Sequence, residues 1–227
     1  MTEPSAPTEV YAATRARLIE WFRSLDDGAA ATAVPACPAW TVRDTVAHVV
    51  GIVDDLLAGR TDGLGSDAWT AAQIERRAGR TLGEVCDEWE RLAPAIDAFT
   101  RDDPWFGTRI VADLVTHEHD LRAALGRPGE RDSDAVHLGL RRYAPAFVDR
   151  AAEAGLAPVA VVVDGRHAAG PADATVTLRG SAFDVLRALT GRRSRDQVAA
   201  LDWAGADPTP YLPLISPYGQ PADPLVE

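Results

Sequence analysis

The feature that most constrains this chain is a change of hydrophobic period at Gly155. Before it, apolar residues recur three and four apart. After it, short β-branched and alternating runs appear. A 3.6-residue period marks helices with one buried face and a two-residue period marks strands, so one chain carries two kinds of layer. From Thr8 to Leu25 the apolar positions Tyr11, Leu18, Trp21, Phe22 and Leu25 predict an amphipathic helix, followed by an irregular segment from Asp26 to Pro38. Thr41 with Asp44 three residues on forms an acidic capping box that opens a second helix, running to about Ala58 with Val46, Val49, Val50, Val53 and Leu57 as its stripe. A Gly-rich loop, a short helix over 68–77 and a long helix opened by Thr81 and Glu84 follow. Asp102-Asp-Pro104 interrupts the pattern, and the next helix runs from about Phe106 to Leu125 before Gly126 and Pro128. One more helix is expected over 134–154.

Beyond Gly155, Pro158–Val163 and Ala174–Arg179 read as strands, and Ser181 caps a helix that ends at Gly191. Six prolines from position 208 onward predict an extended tail. The expected organisation is mainly α: a helical bundle over 1–154, then a small α+β domain over 155–227 with the Pro-rich tail. At 227 residues the chain is long enough to bury a real core.

Charge and cysteine content narrow the function. A net charge of −11 argues against nucleic-acid backbones and anionic membrane surfaces. A local basic spot at Arg192, Arg193 and Arg195 suits a small anionic ligand. No run approaches the ~18 apolar residues of a membrane span, and the N-terminus lacks the basic start and apolar stretch of a signal peptide. Cys37 and Cys86 are too few for a disulfide framework and have no basic neighbour in sequence, so both read as structural. A cytoplasmic protein is expected. All 23 Lys and Arg residues are arginine and asparagine is absent, a bias that fits GC-rich coding.

The run Asp113-Leu-Val-Thr-His117-Glu-His-Asp120 carries the chemistry. Residues at i, i+4 and i+7 share a helix face, so Asp113, His117 and Asp120 stand in one column beside the apolar stripe of Ile110, Leu114, Leu121 and Leu125. Charged groups beside a core need pairing. Two partners are available: a divalent cation, or Arg109 one turn before Asp113. His48, by periodicity alone, is a helix-surface histidine. With Asp113 and His117 it would complete a three-ligand metal site that leaves a position open.

The segment Pro38-Ala-Trp-Thr-Val-Arg-Asp-Thr-Val-Ala-His48 resembles the G-W-T-V-R-D-L-L-A-H-L signature of DinB/YfiT-like metalloenzymes. Asp113 to Leu121 resembles the E-x-x-x-H-x-x-D-L element of their mycothiol-dependent maleylpyruvate isomerase branch, and 180–192 resembles that branch's C-terminal domain. The resemblance implies a DinB-like four-helix bundle with a divalent metal, typically zinc, on His48, Asp113 and His117, and mycothiol as thiol cosubstrate. One departure is Asp113, where the family usually has glutamate. The implied activity is thiol addition to a small electrophile, with cis–trans isomerisation of maleylpyruvate type. A mycothiol S-transferase and a non-enzymatic metal- or ligand-binding module remain alternatives. Arg192 and Arg109 are candidate carboxylate clamps, Arg192 and Arg193 candidate cofactor contacts, and Asp120 a candidate orienting carboxylate. Monomer and dimer are both open.

Overall fold

The structure, a computed structural model, describes residues 6–227. It divides into two compact units, one ending at Pro128 and one beginning at Gly129. The first is helical throughout: α1 (Pro7–Arg23), a single turn α2 (Asp27–Ala30), α3 (Val42–Leu57), α4 (Asp67–Glu75), α5 (Leu82–Asp102) and α6 (Pro104–Ala124). The four long helices α1, α3, α5 and α6 form the bundle, and α6 packs on each of the other three. Its second half is therefore buried all round, and the polar residues it carries there must find partners inside the bundle. Glu118 does so through Arg17 of α1 and through Arg122 at 2.8 Å. Burial opposes ionisation of Glu118, but those two arginines hold its carboxyl below the usual range. Asp103 serves two helices, closing α5 and accepting from the Phe106 amide at 3.0 Å to open α6.

Helix α4 is the short element expected over 68–77, and its position depends on Gly51 of α3. A Cβ at Gly51 would stand 2.5 Å from the Gln73 Cβ, so only glycine lets the two helices approach this closely. Arg77, just beyond α4, pairs with Glu88 of α5 at 2.6 Å and fixes the end of the helix against the bundle.

The second unit contains α7 (Asp134–Glu153), β1 (Val159–Val163), β2 (Arg166–Ala169), β3 (Val176–Gly180), α8 (Ala182–Leu189), α9 (Arg195–Ala199), β4 (Asp202–Gly205) and a 3-10 turn at Leu212–Leu214. The sheet order is β2-β1-β3-β4, with β1 and β3 parallel and both outer pairs antiparallel. β1 and β2 are joined by Asp164-Gly165, both at positive φ (49° and 74°), the tight turn that an Asp-Gly pair favours. Helix α7, expected with the bundle, packs instead on α8, β1, β2 and the 3-10 turn. The reason is burial: a sheet with one apolar face needs a helical layer, and Val136, Leu140, Ala144 and Phe147 of α7 supply it. The tail is anchored by Tyr211, Leu212 and Ile215, all buried. Among the described residues no helix is long and apolar enough to cross a membrane.

Candidate metal centre

Helix α3 begins with the capping box read from the sequence. The Thr41 amide donates to Asp44 at 2.9 Å and the Asp44 amide donates back to the Thr41 hydroxyl at 3.2 Å. The cap sets the start of the helix, and with it the direction of His48 almost two turns on. His48 is only 5% exposed, so it is not the surface histidine that periodicity alone suggests. Its Nδ1 lies 2.8 Å from Oε1 of Gln73, whose Nε2 donates to Asp55 at 2.8 Å. Asp55 also accepts from Arg60 at 2.6 Å and from Arg76. Burial works against its charge, yet hydrogen bonds from Arg60, Gln73 and Arg76 hold the carboxyl below its ordinary range. The network decides a proton position. An ionised Asp55 only accepts, so Gln73 must turn its NH₂ toward it and its carbonyl toward His48. Nδ1 of His48 then carries a proton, so in the neutral imidazole Nε2 is the nitrogen with the free lone pair.

On α6, His117 is oriented in the same manner. Its Nδ1 lies 3.1 Å from Oδ2 of the fully buried Asp120, at ion-pair distance though poorly aligned for a straight hydrogen bond. The two Nε2 atoms face one carboxylate: His117 lies 3.9 Å from Asp113 Oδ1, and His48 lies 3.9 Å from Asp113 Oδ2. The imidazoles meet edge to face with centroids 5.0 Å apart, and the Trp40 ring packs on both, at 5.0 and 5.8 Å. Asp113 is the open side of the group, its side chain 36% exposed.

Electrostatics at His117 follow from this packing. Burial alone would strip its proton. The charge of Asp113, with the contacts to Asp120 and Cys37 and the charge of Asp120, overcomes that and pushes the imidazolium pKa up to about 10. The carboxylates around His117 therefore favour positive charge at this place.

The donor atoms of His48, Asp113 and His117 all lie within 4.8 Å of one another. Separations of 3.9 Å are too long for hydrogen bonds but suit donors that share a single ion at ~2.0–2.2 Å from each. Two neutral imidazole nitrogens and one carboxylate are a donor set suited to zinc and similar divalent ions. The residues present fit such an ion. A second group, Cys37, His117 and Asp120, meets the same distance limit behind His117. Asp132, His137 and Asp164 form a third on the surface of the second unit, with both carboxylates exposed.

The structure thus brings together His48, Asp113, His117 and Asp120. Arg109 lies on the first half of α6 with its guanidinium 4.7 Å from the ring centroid of exposed Trp105. Arg192 and Arg193 belong to the second unit: Arg192 donates to the Thr190 carbonyl at 2.7 Å, and Arg193 pairs with Glu227. Cys37, read as purely structural, stands at the site. The turn Val34–Trp40, closed by Cys37 N to Val34 O and Trp40 N to Cys37 O, puts its Sγ 3.7 Å from Asp120. The basic neighbour missing along the sequence is His117, supplied in space by another helix. Gln73 and Asp55 were also missed, because their role exists only where α4 crosses α3.

Residues 11–122 match the model of the mycothiol maleylpyruvate isomerase N-terminal domain. Over these residues, just under half of the chain, the sequence carries that family's N-terminal domain. Two crystal structures of the mycothiol-dependent maleylpyruvate isomerase, one of them a mutant, are similar in fold to this chain at a TM-score of 0.57. They are 13% and 14% identical, and each match covers 89% of this chain and 93% of the other. At that identity the likeness establishes the mainly helical fold with its small C-terminal sheet. No curated relative matches the sequence. The family's domain spans the helices that carry His48, Asp113 and His117.

Proposed function

We propose that this chain is a mycothiol-dependent metalloenzyme of maleylpyruvate isomerase type, with His48, Asp113 and His117 as ligands of a divalent metal. The observation that carries the reading is the pair of Nε2 atoms turned on one carboxylate, each 3.9 Å away, while Gln73 and Asp120 engage the opposite ring nitrogens. Histidine ligands held in this way from behind are the usual support of a metal site. A divalent ion there, most simply zinc, would lower the pKa of a bound thiol and make mycothiol nucleophilic near neutral pH.

The protein's own residues do the rest. Gln73 fixes the His48 tautomer, Asp120 orients His117, and Trp40 covers both rings and keeps water from their apolar faces. Asp113, half exposed, marks the side from which thiol and substrate enter. Isomerisation requires sulfur to add to the cis double bond, rotation about the resulting single bond, and departure of the same sulfur. No atom is gained or lost, so positioning is the main demand on the protein.

One observation favours the S-transferase as a second reading. Arg193, a candidate contact for an anionic ligand, is committed to Glu227 and lies 3.6 Å from Asp184. An electrophile without carboxylates would not need it. Assays of maleylpyruvate and of a simple electrophile, with and without mycothiol, decide between the two. Thiol-dependent formation of the trans isomer supports the proposal. Accumulating thiol conjugates replace isomerase by transferase, and thiol-independent turnover or none with the metal bound removes both.

A further inference from the structure

We propose that Arg131, Arg187 and Arg193 of the second unit form a carboxylate-binding site that Glu227 of this chain fills as a tethered ligand, and that a free small carboxylate takes the same arginines once Glu227 is removed. The inference rests on the second unit alone and stands apart from the metal reading.

Arg187 on α8 is completely buried, so its guanidinium cannot be hydrated and requires an anion. Glu227 supplies one in a two-pronged contact: Nε donates to Oε2 at 3.0 Å and Nη2 donates to Oε1. Arg193 donates to the same Oε2, and Arg131 donates to the Glu227 backbone carbonyl at 2.8 Å. The guanidiniums of Arg131 and Arg193 also stack on Phe183, 4.5 and 5.6 Å from its ring centroid, which holds their forks in place. A planar fork with two parallel donors matches a carboxylate better than a tetrahedral anion.

The segment that delivers Glu227 behaves as a tether rather than as core. None of residues 217–226 is buried. Val226 is 91% exposed, whereas the adjacent Glu227 side chain is 4% exposed. The segment has two further holds: Tyr218 meets Tyr143 of α7 edge to face, with the hydroxyls 3.3 Å apart, and the Gln197 side chain donates to the Leu225 carbonyl at 2.8 Å and accepts from the Leu225 amide at 3.2 Å. Residues 217–227 are thus held mainly by polar contacts, and their deeply buried group is a carboxylate shared by Arg187 and Arg193, with Arg131 on the main-chain oxygen beside it. A ligand tethered to its own site competes at an effective concentration of millimolar order, so an external carboxylate is excluded from the wild-type protein at ordinary concentrations.

The test uses the whole 227-residue chain and propionate, which reproduces the glutamate side chain, with propionamide as the uncharged control at constant ionic strength. Glu227→Ala is expected to bind propionate about tenfold or more tightly than wild type and to gain melting temperature from it, with no response to propionamide. Adding Arg193→Leu to that variant should abolish the response. Inorganic phosphate should stabilise the variant less than propionate does. Glu227→Gln, which keeps the shape and one acceptor oxygen, guards against misfolding. If the alanine variant folds only when propionate is present, that dependence supports the site. Equal propionate binding by wild type and both variants, or no carboxylate-specific effect on either variant, would reduce Glu227 to a structural anchor and overturn the proposal.

Discussion

At the scale of single residues, the site depends on which ring nitrogen faces forward. His48 is held by Gln73 and His117 by Asp120, so both Nε2 atoms converge on Asp113. Replacing Gln73 by leucine removes the acceptor that fixes the His48 tautomer and leaves Asp55 without one donor. Metal affinity should fall by about 10- to 100-fold, as measured by competition with a chromogenic chelator. An unchanged affinity would mean that Gln73 is packing alone. His117 gives a pH prediction for the metal-free protein. Its folded pKa is raised from 6.5 to about 10, so the stability it contributes is fully present below about pH 6.5 and is lost as pH climbs through 10. Under chelation, the stability difference between wild type and His117→Asn in urea should therefore shrink steadily from pH 6 to pH 10. A difference independent of pH would contradict the environment described for this imidazole. The short side chain of Asp113 is no obstacle to reach, since each of its oxygens already stands 3.9 Å from an imidazole nitrogen.

At the scale of elements, the close crossing of α3 and α4 is what makes the group possible. Gly51→Ala drives a methyl into Gln73, with Cβ and Cγ at 2.5 and 2.8 Å from the new atom. The variant should lose ~1–3 kcal/mol of stability and, because Gln73 is displaced, metal affinity as well. Chemical denaturation with a parallel metal titration reads both, and a stability loss with full affinity would separate the crossing from the site. Much of this was legible beforehand. The boxes at Thr41 and Thr81, the punctuation at Gly126, and the column through Asp113 and His117 are local signals, and the helices they predict are present. What lay outside reach was contact between elements. No local pattern says that Gln73 sits behind His48, that Cys37 lies beside Asp120, or that α7 covers the sheet. Strand β2 is a different case, because Asp164-Gly165 is a hairpin signal in the sequence that the period of the flanking residues obscures. Its burial pattern explains why: three of its four residues are exposed, so the strand shows no apolar alternation.

At the scale of the whole molecule, the two units carry different chemistry. The helical unit gathers two imidazoles and a carboxylate around a space suited to a cation, while the second unit gathers arginines around a carboxylate of its own tail. The family match lies in the first, and the activity proposed for the chain depends on the ion that unit would hold. Since a ligand that binds only the folded state stabilises it, metal should also raise the unfolding midpoint by the equivalent of ~2.7 kcal/mol at a hundredfold excess over Kd. The most direct test is therefore the metal content of the purified protein and of three variants, by elemental analysis after dialysis against a weak chelator. The account predicts one equivalent of divalent metal in wild type and in Cys37→Ser, and loss of it in both His48→Ala and His117→Ala. Wild type without stoichiometric metal, or undiminished metal in the two histidine variants, would contradict it.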